Sequence, residues 1–130
     1  CKKTIVEFIV KMLKITLEVL KMSIYELRIY ECFPGRLPSL LERFENVTLD
    51  LWKKHGIEQV GFWTPTVGRS NKELIYILKW ESLADREQKW NAFTADPIWL
   101  DKRAASEADG PIVATIENSF LQPTQFSLSK

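Results

Sequence analysis

The stretch Glu73–Glu81 constrains the fold more than any other part of the chain. Leu74, Ile75, Tyr76, Ile77, Leu78 and Trp80 leave almost nothing polar on either side of an extended segment. Successive side chains of a strand point to opposite faces, so a run that is apolar at both parities must be covered twice. Helices of the same chain can cover one face. The other calls for a partner sheet or a second subunit.

The neighbouring segments supply those helices and three more strands. Ser23–Cys32 alternates, with Tyr25, Leu27 and Ile29 facing one way and Glu26, Arg28 and Tyr30 the other, a half-buried strand. Pro34-Gly35 breaks it. Leu37, Leu40, Leu41, Phe44, Val47, Leu51 and Trp52 then recur at helical spacing. Pro38 fits the first turn, Lys53, Lys54 and His55 suit the last, and Gly56 stops the helix. Ile57–Val67 reads as a second strand, with Val60 and Phe62 opposite Gly61 and Trp63, and Gly68-Arg69-Ser70-Asn71 is turn chemistry. After the doubly apolar strand, Ser82 is placed to cap a helix running through Trp90 and Phe93, and Asp96-Pro97 to start a short second one. Asp109-Gly110-Pro111 ends it, Ile112–Phe120 is a fourth strand, and the tail from Leu121 is weakly ordered by composition. The order β-α-β-β-α-β is the split, ferredoxin-like arrangement of an α+β domain, with both helices on one face of a four-stranded antiparallel sheet.

Residues 2–21 differ from this pattern. Lys3, Glu7, Lys11, Lys14, Glu18 and Lys21 form one helical stripe, and almost everything between them is apolar. The apolar arc is wider than a surface helix needs. A charge arrives about once per turn, which excludes a span of about 18 uncharged residues, and no small-residue cleavage site precedes Met22. Five Lys against two Glu make the segment +3, so docking on a membrane surface is the rival reading. The preferred one is an oligomerisation helix presenting Ile5, Phe8, Ile9, Met12, Leu13, Leu17 and Leu20 to copies of itself or to a partner chain, natural or designed. Because the chain starts with Cys and Met22-Ser23 resembles a start, residues 1–22 are expected to be an appended helix, natural or engineered, and 23–130 the domain proper.

Chemistry-bearing residues are sparse. The 18 Lys+Arg nearly balance 17 Asp+Glu, so no global charge argues for nucleic acid. Two cysteines and one histidine imply no metal and no cofactor. His55, at a helix end, reads as a capping residue and Cys32 as a small buried side chain, rather than as a proton shuttle or a nucleophile; Cys1 has no motif around it. Gly61 and Gly68 belong to no phosphate-binding loop. The polar groups left for a cavity are Glu26, Arg28 and Tyr30 on one face of the first strand, Lys79 and Glu81 on the third, and His55. They read as interface ion pairs or as the convergent polar groups of a ligand site. A cavity above about 300 Å³ lined by Tyr30, Arg28 or His55 would favour a cofactor-independent small-molecule enzyme or binder; a filled interface would favour a purely self-associating domain. Five tryptophans read mainly as core. Free thiols and the absence of a targeting segment give cytoplasm as the expected compartment.

Several stretches in order resemble one family. Ile24-Tyr25-Glu26-Leu27-Arg28-Ile29-Tyr30-Glu31 with Pro34-Gly35, Leu51-Trp52-Lys53-Lys54-His55-Gly56, Val60-Gly61-Phe62-Trp63-Thr64, Trp80-Glu81-Ser82-Leu83-Ala84 with Arg86-Glu87, and Trp90-Asn91-Ala92-Phe93 before Asp96-Pro97 are similar to NIPSNAP sequences. The resemblance covers about residues 23–127 and implies a dimeric α+β barrel. It implies no defined chemistry, and it does not extend to the N-terminal helix.

Overall fold

A computed structural model describes residues 2–130, apart from the side chains of residues 18–21. Cys1 and the side chain of Leu20 therefore lie outside the described residues. Helix α1 (Lys2–Lys21) leads into β1 (Ile24–Cys32). Then follow α2 (Leu37–Arg43), a π-helical segment (Phe44–Thr48), α3 (Leu49–His55), β2 (Glu58–Trp63), β3 (Glu73–Trp80), α4 (Leu83–Thr94), α5 (Pro97–Ser106) and β4 (Val113–Leu121). The strands form one antiparallel sheet in the order β2-β3-β1-β4, the ferredoxin-like order.

The two central strands set the register, with Arg28 opposite Tyr76 and Glu26 opposite Leu78. Leu74, Tyr76, Leu78 and Trp80 of β3 are buried beneath the helices, together with Leu40, Phe44, Leu51, Trp52, Ile57, Phe93 and Ile112. Ile75 and Ile77 face the other side, so β3 is apolar on both faces as its sequence requires. At β1 the faces run against simple expectation. Glu26, Arg28 and Tyr30 point into the helix-covered core, and the apolar Tyr25, Leu27 and Ile29 point outward. The open side of the sheet is thus the greasier one.

The expected single helix over Leu37–Trp52 is widened in the middle. The π segment closes i→i+5 bonds, and Thr48 Oγ1 donates to the Arg43 carbonyl at 3.3 Å. In a straight α-helix, residues four apart drift around the axis, because a turn takes 3.6 residues. The wider turn removes that drift, keeping Leu40, Phe44, Thr48 and Trp52 buried and leaving Leu41 exposed. Strand β2 also departs from simple alternation. A bulge between Gln59 and Gly61 sends Phe62 onto the core, where it stacks on Tyr76 with centroids 4.8 Å apart, and leaves Val60 half exposed beside Tyr25 and Ile77. The strand ends at Trp63, short of the expected Val67, as Pro65 has no N–H to continue the ladder.

Helix ends follow their capping residues. Ser82 Oγ accepts from Asp85 N–H at 3.0 Å and Asp96 Oδ1 from Ile98 N–H at 2.9 Å. Gly56 closes α3 at φ 72°. No neighbour crowds the place of its missing Cβ closer than 3.5 Å, so only the backbone angle demands glycine. Gly56→Ala should therefore cost about 1–2 kcal/mol, read as a lower urea midpoint with an unchanged slope. A midpoint equal to that of the unaltered protein would show that the chain end relaxes freely.

Candidate functional site

The buried face of β1 carries the most polar chemistry of the molecule. Glu26 has no exposed surface, and five hydrogen bonds converge on its two oxygens. Oε1 accepts from Trp80 Nε1 at 3.1 Å and from Arg86 Nε at 3.2 Å. Oε2 accepts from Arg28 Nη1 at 2.9 Å, Asn118 Nδ2 at 3.1 Å and Arg86 Nη2 at 3.2 Å. Burial alone would raise this carboxyl's pKa. The hydrogen bonds from Asn118 and Arg86, with the charge and hydrogen bond of Arg28, outweigh burial and hold it below the ordinary value.

Arg28 extends the cluster. Its Nε donates to Tyr76 Oη at 2.7 Å and its Nη2 to Tyr30 Oη at 3.1 Å, and the guanidinium lies 4.6 Å from the centroid of the Trp90 ring. Burial works against its charge, but Tyr76, Tyr30 and Glu26 together hold its pKa above the usual arginine value. Burial pushes the Tyr76 hydroxyl well above the ordinary tyrosine value, so it stays protonated.

Beside this cluster, between the sheet and the helices, lies a cavity of about 290 Å³. Arg28 and Tyr30 reach it from β1, Phe44, Thr48 and Trp52 from the π segment and α3, and Trp90, Phe93 and Trp99 from α4 and α5. Arg43, Arg103 and Glu107 line its rim, with Val113 and Ile116 of β4. Arg43 is itself buried; its guanidinium stands 5.5 Å from the Trp99 centroid, and its Nη1 reaches Ser106 Oγ at 3.2 Å and Glu107 Oε1 at 3.4 Å. Burial pushes the Arg43 pKa down, and Glu107 offsets only part of that. Arg43 Nε and Trp52 Nε1 are buried without a partner among the described residues.

The NIPSNAP family model matches residues 25–128. The chain belongs to the NIPSNAP family. It is similar to a NIPSNAP family protein of unknown function from Agrobacterium tumefaciens, at 28% identity and TM-score 0.74 over 85% of this chain and 96% of that one. A NIPSNAP-like domain protein from Burkholderia xenovorans matches at 21% identity and TM-score 0.73, over 82% of this chain and 90% of that one. A monooxygenase from Streptomyces coelicolor shares the fold at 17% identity and TM-score 0.55, over 85% and 95% of the two chains. Among curated proteins none matches.

Of the residues singled out in the sequence, this NIPSNAP domain brings Glu26, Arg28 and Tyr30 together, on the helix side of the sheet rather than on its open side. The others lie elsewhere. His55 Nε2 and Lys54 Nζ both meet Asp96 Oδ2, at 2.7 and 2.9 Å, an anchor between α3 and α5 outside the cavity. Hydrogen bonds from His55, Lys54 and Ile98 hold Asp96 well below the usual carboxylate range. Lys79 lies on the open face opposite Tyr25 and Glu58, and Glu81 is exposed just past β3, where its N–H bonds Asp85 Oδ2 at 3.2 Å. Cys32 is buried, and burial pushes its thiol up, away from nucleophilic use. Among the tryptophans, Trp52 and Trp80 are core, Trp90 and Trp99 wall the cavity, and Trp63 stands half exposed on the open side. Sequence reasoning missed Arg43, Tyr76, Arg86 and Asn118. Tyr76 and Asn118 could be found only through strand register, and Arg43 only through the packing of α2 against α5. The described residues include no group of three or more side chains that could hold a metal ion.

Glu26→Gln leaves Arg28 and Arg86 facing a neutral amide in the core and should cost about 3 kcal/mol or more. The lowered carboxyls of Glu26 and Asp96 fix the sign of the pH effect. Each contributes stability above its unfolded pKa, near 4, and loses it as pH falls further. Urea unfolding between pH 7 and pH 3 should therefore show stability falling on the acid side, with a shallower fall in Glu26→Gln. Equal slopes would remove Glu26 from the account.

Proposed function

We propose that this NIPSNAP domain binds a small, largely aromatic molecule between its sheet and its helices. The cavity of about 290 Å³, walled by Phe44, Trp52, Trp90, Phe93 and Trp99 and reached by two buried guanidiniums, carries the reading. It stands near the lower limit of ordinary ligand pockets, which begin at about 300 Å³. It is about twice the ~150 Å³ of an engineered apolar cavity that takes benzene, so one or two rings fit. The monooxygenase of this fold was solved with Nanaomycin D bound, which supports a small-molecule role without naming a ligand or a reaction for this chain. The wall offers rings and donors but one carboxylate, Glu107, so binding is favoured over turnover.

Titration with 1-naphthol should quench the tryptophan fluorescence saturably, because Trp52, Trp90 and Trp99 line the space. Thr94→Trp, at an exposed lining position, should fill the mouth and weaken binding at least tenfold without unfolding the domain. No saturation below about 1 mM by either 1-naphthol or 1-naphthoate, a free energy of only ~4 kcal/mol, would overturn the reading.

A second reading concerns assembly. The outward face of the sheet presents Tyr25, Leu27, Ile29, Val60, Trp63, Ile75 and Ile77, an apolar patch on which a second copy would pack, sheet to sheet. Helix α1 leaves Ile5, Phe8, Ile9, Met12, Leu13 and Leu17 each about half exposed or more, a surface suited to further self-association. No described helix is long and apolar enough to cross a membrane. Light scattering should give a dimer or larger for the full chain, a folded dimer after deletion of residues 1–21, and a monomer when Leu27→Lys and Ile77→Lys are added to that deletion. A monomeric full chain would refute the sheet interface, and an unchanged oligomer after the deletion would refute a role for α1.

A further inference from the structure

The polar end of the cavity can be sorted into donors and acceptors. Tyr76 Oη accepts from Arg28 Nε at 2.7 Å and, being fully buried with no other acceptor near, donates to Tyr30 Oη at 2.8 Å. Tyr30 Oη also accepts from Arg28 Nη2 at 3.1 Å. Both lone pairs of Tyr30 are then engaged, and its own proton is left to donate. Arg28 uses three of its five N–H groups within the cluster, on Tyr76, Glu26 and Tyr30. Arg43 bonds Ser106 and Glu107 through Nη1 alone, so Nη2 has no partner among the described residues. The lining hydroxyls of Thr94 and Thr48 donate to the Asn91 and Arg43 carbonyls, which leaves them only as acceptors. At the Arg28, Tyr30 and Arg43 end the groups left for a ligand are donors; the acceptors of the wall are Glu107 and the hydroxyls of Thr48 and Thr94.

The charge balance agrees. Arg28, Arg43, Arg86 and Arg103 stand against Glu26 and Glu107, which leaves this neighbourhood at +2. Glu26 is fully used by its own partners, and Arg43 is undercompensated where it is buried. Neutral rings would leave these donors unmet, whereas a monoanion with two acceptor oxygens would meet them. The rest of the wall is aromatic and apolar, which suits a planar ring rather than a small hydrated anion.

We infer that the ligand is an aromatic acid: one or two rings bearing a carboxylate, the rings among Trp52, Trp90, Phe93 and Trp99 and the oxygens at Arg28, Tyr30 and Arg43. The inference rests on the cavity being a ligand site, and it adds the class of ligand. Arg28 and Arg43 bind the carboxylate directly, and Glu26 acts through Arg28 by fixing the plane of its guanidinium.

The test compares 1-naphthoate, 1-naphthamide and 1-naphthol on the unaltered protein by tryptophan quenching and calorimetry at pH 7. The acid is expected to bind at least tenfold more tightly than either neutral analogue. Arg43→Gln is expected to narrow that ratio below threefold. Arg103→Gln, at an exposed rim position that cannot threaten the fold, is expected to lower naphthoate affinity two- to threefold. If all three compounds bind equally, the cavity is a ligand site and the acid inference is wrong. If none binds, the cavity reading fails as well. A preference for the acid that survives intact in both arginine variants overturns the assignment of its oxygens to this end of the cavity.

Discussion

A carboxylate without exposed surface is held on the helix side of the sheet by donors from four elements: Arg28 of β1, Trp80 of β3, Arg86 of α4 and Asn118 of β4. Glu26 stays charged there only because those donors are present. A cluster of this kind adds little net stability over a well-packed apolar equivalent, but it penalises any arrangement that leaves a member unpaired. It therefore fixes β1 between β3 and β4, with α4 across them. It also decides the site, because Arg28, clamped by Glu26, Tyr76 and Tyr30 and stacked on Trp90, presents its remaining N–H groups to the cavity beside it.

Much of the fold was legible beforehand. The element order, the caps at Ser82 and Asp96, the stop at Gly56 and the doubly apolar β3 all follow from local chemistry that tertiary contacts do not override. The orientation of β1 was less so. Alternation separates Glu26, Arg28 and Tyr30 from Tyr25, Leu27 and Ile29, but it does not say which set is inside. The ordinary rule sends charges outward; here the charged set is inside because its partners come from distant segments, Tyr76, Arg86 and Asn118, whose positions depend on register and helix placement. His55 shows the converse. Its place at a helix end was readable, and its pairing with Asp96 was not, since that needs α5 packed beside α3.

Two irregularities build the cavity. The π turn at Phe44–Thr48 keeps Phe44, Thr48 and Trp52 on the sheet side, where they line the space. π segments of this sort are rare and are found frequently at functional sites. The break between α4 and α5 at Asp96-Pro97 does the same on the other wall, placing Trp99 against Phe93 with centroids 4.8 Å apart and under the Arg43 guanidinium. Their joint effect is an aromatic wall that the guanidiniums of Arg28 and Arg43 also reach.

The two faces of the sheet are physically linked through β1 and β3. Side chains alternate at every residue, so Leu27 and Ile29, on the outside, flank the backbone that carries Arg28, and Ile75 and Ile77 flank Tyr76. While the outer face is wet, water stands one strand's thickness from the Glu26 cluster and screens it. A second copy laid on that face would remove the water, lower the local dielectric and strengthen each charge-assisted bond of Arg28, the cost of any unpaired donor rising in proportion. On the proposed sheet-to-sheet packing and the proposed ligand site, association and ligand affinity would be linked equilibria. Whatever tightens the sheet interface should sharpen the preference for an acid inside, and the acid should in turn favour the associated form.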